Sequence, residues 1–232
     1  FLYLNIMMEY NLLFVTIIFI TTCFITVSAF YAASKSKTFL IFSLSWILIQ
    51  SILGFYGFYQ NINLTPPRIM LFGLLPILLI FASTFFSLKG KKFIDSIDLK
   101  LLTYCHTIRI PIEIILTLLY HKGLMSVLVT FEGTNFDILS GISAPIIVFF
   151  IFRKNTVHHR ALLLWNFVCL ILLLNVIVTA VLSTPSPMQL LSLAQPNVAI
   201  LTFPFNLLPS FIAPLMLYAH LIAIRKILIK KF

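Results

Sequence analysis

Seven apolar runs divide this chain and decide what it can fold into. They cover residues 10–33, 38–59, 68–88, 97–121, 136–152, 160–182 and 199–224. A helix of ~20 apolar residues crosses a hydrocarbon core ~30 Å thick. Only 9% of the 232 residues are charged, and 61% are hydrophobic. Soluble domains carry about 25% charged residues, so too few charges are present to coat a soluble surface. The expectation is an all-α integral membrane protein: one transmembrane domain over residues 1–232, built as a seven-helix bundle. Its expected location is a bacterial cytoplasmic membrane, and its first partner is the lipid bilayer.

The first run has no basic segment ahead of it (Glu9 precedes it) and is longer than the apolar part of a signal peptide. It is therefore read as a retained helix, with Met7 or Met8 as a natural start.

Basic residues orient the bundle. Lys35, Lys37, Lys89, Lys91, Lys92, Lys100, Arg153, Lys154, Arg160, Arg225, Lys226, Lys230 and Lys231 all fall on alternate connections or helix ends. The opposite connections hold only Arg68 and Lys122, and Arg109 lies inside the fourth run. By the positive-inside rule the N-terminus is outside and the C-terminus cytoplasmic. Adding or merging one helix would put a Lys cluster on the wrong side. The same alternation accounts for the net charge of +10 as an orientation signal, so no nucleic-acid partner is expected.

The fourth run carries the clearest functional signal. Arg109 and Glu113 stand one helical turn apart, with His106 three residues before Arg109, so all three share a face. Intramembrane charges are costly and face a protein interior or a wet cavity. Counting ~1.5 Å per residue from the basic side, Gln50 and Arg109 lie roughly 18 Å deep, and Glu113, Asn175 and Asp137 roughly 22–24 Å. Asn206 falls at about 27 Å on the same count. These depths predict a polar cavity opening outward, walled by the second, fourth, fifth, sixth and seventh helices. Pro111 in the fourth helix and Pro204, Pro209 and Pro214 in the seventh each remove a backbone donor and free a carbonyl. Neighbouring groups must answer those carbonyls.

The predicted ligand-binding set is Arg109, Glu113, His106, Asp137, Asn135, Asn175, Asn206 and Gln50. Arg109 is expected to pair with Glu113 when the site is empty, and the ligand is expected to be a small polar or anionic solute, bound and perhaps carried across. Each sharp reading has a plainer rival. The ion pair can simply lock the bundle, Asp137 or Asn135 can cap the fifth helix, and Asn166, Asn175 and Asn206 can serve as interhelical hydrogen bonds. Two other classes stand beside solute binding: an intramembrane enzyme for a lipid-linked substrate, using Glu113 or Asp137 with His106 or His121, and a sensor or assembly subunit.

No cofactor or metal is expected. His106, His121, His158, His159 and His220 fall at different depths on the same count, and Cys23, Cys105 and Cys169 all sit in apolar runs. The seventh run has no Lys for a retinal Schiff base. HExxH, GxSxG, P-loop and CxxCH patterns are absent. The small size leaves room for a homo-oligomer.

Overall fold

The computed structural model describes the backbone of residues 2–152 and 158–229, and side chains from residue 12 onward. Arg153, Lys154, Lys230 and Lys231 of the charge pattern lie outside the described residues. Among the described residues there are helices and no strands. In chain order the main helices are α1 (Leu2–Ser34), α2 (Lys37–Phe55), α3 (Ile69–Phe86), α4 (Leu88–Ser96), α5 (Leu99–His121), α6 (Ile138–Ile151), α7 (His159–Leu182) and α8 (Leu208–Leu228). All but α4 and α6 are long and apolar enough to cross a membrane, which makes six. Their outward faces are apolar: Phe14, Phe24, Ile41, Leu48, Leu79, Leu164 and Ile171 are all exposed. In water such a surface would drive aggregation; against acyl chains it is a match.

Several helices begin or end away from the sequence expectation, for local reasons. The second stops at Phe55 because Gly57 adopts a left-handed conformation, φ 70°, that ends it. The connection before the fourth contains a helix of its own. Ser87 caps α4, a short segment with Lys89 and Lys92 exposed and Ile94 buried. Asp98 then caps α5 by accepting from the Leu101 amide at 2.7 Å. The fifth helix, α6, has only 14 residues, about 21 Å of rise against a core of ~30 Å. The seventh begins at Leu208 rather than near residue 199. Pro204 and Asn206 therefore belong to the segment leading into α8, after a short turn at Ala199–Leu201.

The interior is organised around α5 and α8. In their most apolar windows 61% and 67% of residues are buried, against 22–33% in the other long helices. Helix α1 packs along α5, α7 along α8, and α6 across the middle of α5. That last contact is close: a Cβ on Gly141 would stand 2.9 Å from Ile110 Cγ1 and 3.3 Å from Arg109 Cβ. Glycine at this point lets the backbone of α6 approach the turn that carries Arg109.

Proline carbonyls find partners on α2. Pro214 cannot donate to the carbonyl of Ser210, and the Trp46 indole donates to that oxygen at 2.8 Å. Pro76 likewise leaves the carbonyl of Phe72 without a helical donor, and Gln50 Nε2 donates to it at 3.0 Å. The first turns of α3 and α8 are wide π-turns just before these prolines, as expected where the helical ladder is interrupted.

The two long connections, after α5 and after α7, are knitted together. Gln195 Nε2 donates to the carbonyls of Tyr120 and Met125 at 2.8 and 2.7 Å. The Ser126 amide donates to Asn197 Oδ1 at 2.8 Å.

Candidate functional site

Arg109 is held where α5 tightens. A single 3-10 turn, His106–Ile108, interrupts the helix before it, and Pro111 two residues later lacks the amide that would bond the Thr107 carbonyl. Arg109 is only 3% exposed. Its ion pair is with Asp137, not with Glu113 as the i, i+4 spacing suggested. The spacing put Arg109 and Glu113 on one face, but both reach sideways to the segment entering α6. Ser140 Oγ also donates to Asp137, at 3.2 Å.

The second terminal nitrogen of Arg109 lies 3.0 Å from His220 Nε2. Arginine has no acceptor, so it donates, and His220 Nε2 must carry the lone pair. The ring proton then sits on Nδ1, which donates to Asn166 Oδ1 at 2.9 Å. Arg109 thus fixes both the neutral state and the tautomer of His220.

On its other side the network runs to Glu113. The Asp137 amide donates to Asn135 Oδ1 at 2.8 Å. Asn135 Nδ2 lies 2.8 and 2.7 Å from the two Glu113 oxygens and 2.9 Å from the carbonyl of Val129. One polar seam, Asn166–His220–Arg109–Asp137–Asn135–Glu113, therefore joins α7, α8, α5 and the segment entering α6. Asp137 does occupy the residue before α6, but its side chain bonds Arg109 and Ser140 rather than capping the helix.

A family model described as "Domain of unknown function (DUF8737)" matches residues 66–228. The chain belongs to this family. The match contains every residue of the seam and leaves Gln50 outside it. No curated protein and no solved structure matches the chain. The DUF8737 region also contains every residue that lines the cavity beside the seam.

That cavity, of about 90 Å³, abuts the seam. Arg109, Glu113 and Asp137 contribute to its wall, and the remainder is largely aliphatic: Ile112 and Leu116 of α5, Leu173 and Ile177 of α7, Ile212 and Met216 of α8. Met125 and Val129, each 1% exposed, line it from the 122–137 connection. The expectation of a polar cavity is corrected: charge is confined to three side chains. Its walls are corrected too. No α2 residue lines it, whereas Ile69, Met70 and Leu74 of α3 do.

The other expected site residues sort by this geometry. Gln50 (1% exposed) is occupied by Phe72 and by the Tyr59 hydroxyl, which donates to it. Asn206 Nδ2 donates to the Gln50 carbonyl at 2.8 Å, so both residues join α2 to α3 and α8 rather than facing the cavity. Asn175 is exposed and donates to the Thr134 carbonyl at 3.0 Å. His121 pairs with Glu132 at 3.0 Å, both well exposed and away from the seam.

His106 is wholly buried and stacks on His220, ring centroids 4.0 Å apart and planes 17° apart. The Trp165 ring lies edge-on to it at 5.5 Å. Neither nitrogen of His106 finds a hydrogen-bond partner, an arrangement that costs about 1–3 kcal/mol for the unmet donor. Depth counting from the basic side separated these two histidines because it ended the last helix at residue 224, whereas α8 runs on to Leu228 and so carries His220 one turn deeper. Asn166, read as an interhelical hydrogen bond, makes one to His220. Among the described residues no group of three His, Cys, Asp or Glu side chains is placed to hold a metal, and the three cysteines are buried and unpaired.

Proposed function

We propose that the chain is a multi-pass membrane protein of seven crossings, N-terminus outside, that binds a small solute in the cavity beside Arg109, Glu113 and Asp137 and carries it across. The seventh crossing is α6, completed by the segment 130–137, whose Thr130 and Asn135 are fully buried. Non-helical backbone is tolerated at membrane depth when protein surrounds it. The observation that carries the functional reading is a cavity walled by three intramembrane ionisable side chains on otherwise aliphatic surroundings. Such residues inside a bundle mark solute or proton paths, and convergent polar groups in an apolar pocket mark binding sites. An anionic solute has to displace Asp137 from Arg109, so an anion finds less support here than the i, i+4 pairing implied.

One specific observation favours the structural alternative. The seam is almost closed on itself through hydrogen bonds, as expected of a lock between helices in an assembly subunit. A thermal-shift screen of small amines, acids and alcohols on the purified protein separates the two. Solute binding predicts that at least one compound raises Tm in the parent chain and loses its effect in Ala180→Leu, which fills the cavity from α7. A screen in which nothing raises Tm contradicts it.

A further inference from the structure

Donors and charge do not balance at Glu113. Asn135 Nδ2 has two hydrogens but three acceptors around it: both Glu113 oxygens and the Val129 carbonyl. One carboxylate lone pair per site is thus at best shared, on a side chain only 2% exposed. Arg109 does not make up the shortfall: its hydrogen bonds run to Asp137 and His220, its Nε finds no partner, and none of its donors reaches Glu113. Among the residues lining the cavity the ionisable groups are Arg109, Asp137 and Glu113, one guanidinium against two carboxyl groups. His220, held as an acceptor from Arg109, adds no charge. An occupant that completes this site must bring a positive charge and N–H donors to Glu113, and an apolar body for the aliphatic wall.

We infer that the cavity takes a small alkylammonium ion, its ammonium on Glu113 and its hydrocarbon body against Ile112, Leu116, Leu173 and Met216. This rests on the proposal that the cavity is a solute site, and it names the class of solute. The volume sets the size. A cavity of ~150 Å³ holds benzene, so about 90 Å³ accommodates a body of roughly four heavy atoms on the same scale. The three-donor head answers the lone pairs that Asn135 leaves unmet, and the cluster becomes neutral without breaking the Arg109–Asp137 pair. Desolvating an ammonium is costly, and an under-coordinated buried carboxylate is what offsets it.

The test is calorimetric titration of the full chain in lipid nanodiscs with butylammonium, pentanoate and 1-butanol, which share a butyl body and differ in head group. Butylammonium is expected to bind saturably and at least tenfold more tightly than either of the others. Glu113→Gln is expected to weaken it at least tenfold. Should that variant fail to fold, Ala180→Leu leaves the carboxylate in place, fills the wall, and is expected to weaken butylammonium by a similar factor. Tighter binding of pentanoate or butanol, or butylammonium affinity unchanged in Glu113→Gln, overturns the cationic class and leaves the cavity as a solute site; affinity unchanged in Ala180→Leu overturns the cavity as the site. No binding by any of the three overturns both.

Discussion

At the scale of single residues, the central fact is that Arg109 is divided between Asp137 and His220, with Glu113 left to Asn135. Removing one partner of a buried pair leaves an uncompensated charge and typically costs ~3–5 kcal/mol. Asp137→Ala is therefore expected to lower Tm far more than Asn175→Ala, whose side chain is exposed; similar melting temperatures for the two would contradict the network. The sequence made part of this legible. Intramembrane His106, Arg109 and Glu113 stand out against their apolar neighbours, and all three are buried together. The actual partner of Arg109 was not legible, because Asp137 lies 28 positions away and only tertiary packing brings it in. His220 was missed for a related reason: its depth is counted from the basic end of α8, and that end lies one turn further on, at Leu228.

Elements explain why the seam has this geometry. Gly141 lets α6 lie against the Arg109 turn, and the segment before α6 then delivers Asp137 and Asn135 together. Forcing a larger side chain into a packed contact costs typically ~1–3 kcal/mol. Gly141→Leu is expected to lose at least that much and to disturb solute binding as well, measured as Tm with and without ligand; an unchanged Tm would mean that α6 does not approach so closely. Helix α2 has a different task. Trp46 and Gln50 answer carbonyls freed by Pro214 and Pro76, so the polar residues of α2 serve the fold of α3 and α8. The sequence signalled that prolines free carbonyls needing partners, but depth alone could not tell a carbonyl partner from a cavity residue. Gln50 and Asn206 were assigned to the cavity for that reason.

At the scale of the whole molecule, the six helices of spanning length and the one of 14 residues among the described residues leave the number of crossings to be measured. Seven crossings put the α3–α5 connection and the α7–α8 connection on opposite sides of the membrane; six put them on the same side. Single cysteines at Lys89 and Leu193, both exposed, can be read with an impermeant thiol reagent, since the native cysteines are buried. Labelling of Leu193→Cys from outside and of Lys89→Cys only after permeabilisation is expected; labelling of both from one side would remove a crossing. The central claim, that the charged seam serves the cavity rather than merely holding helices together, is tested most directly by Glu113→Leu. In that variant Asn135 keeps its bonds to the Val129 carbonyl and the Asp137 amide, so no buried donor is left unmet and the cost to the fold is small. The account predicts a variant that melts within ~4 °C of the parent, a change worth roughly 1 kcal/mol or less, and that no longer gains stability from the solute. A variant that fails to fold, or that keeps the full solute-dependent rise in Tm, would contradict it.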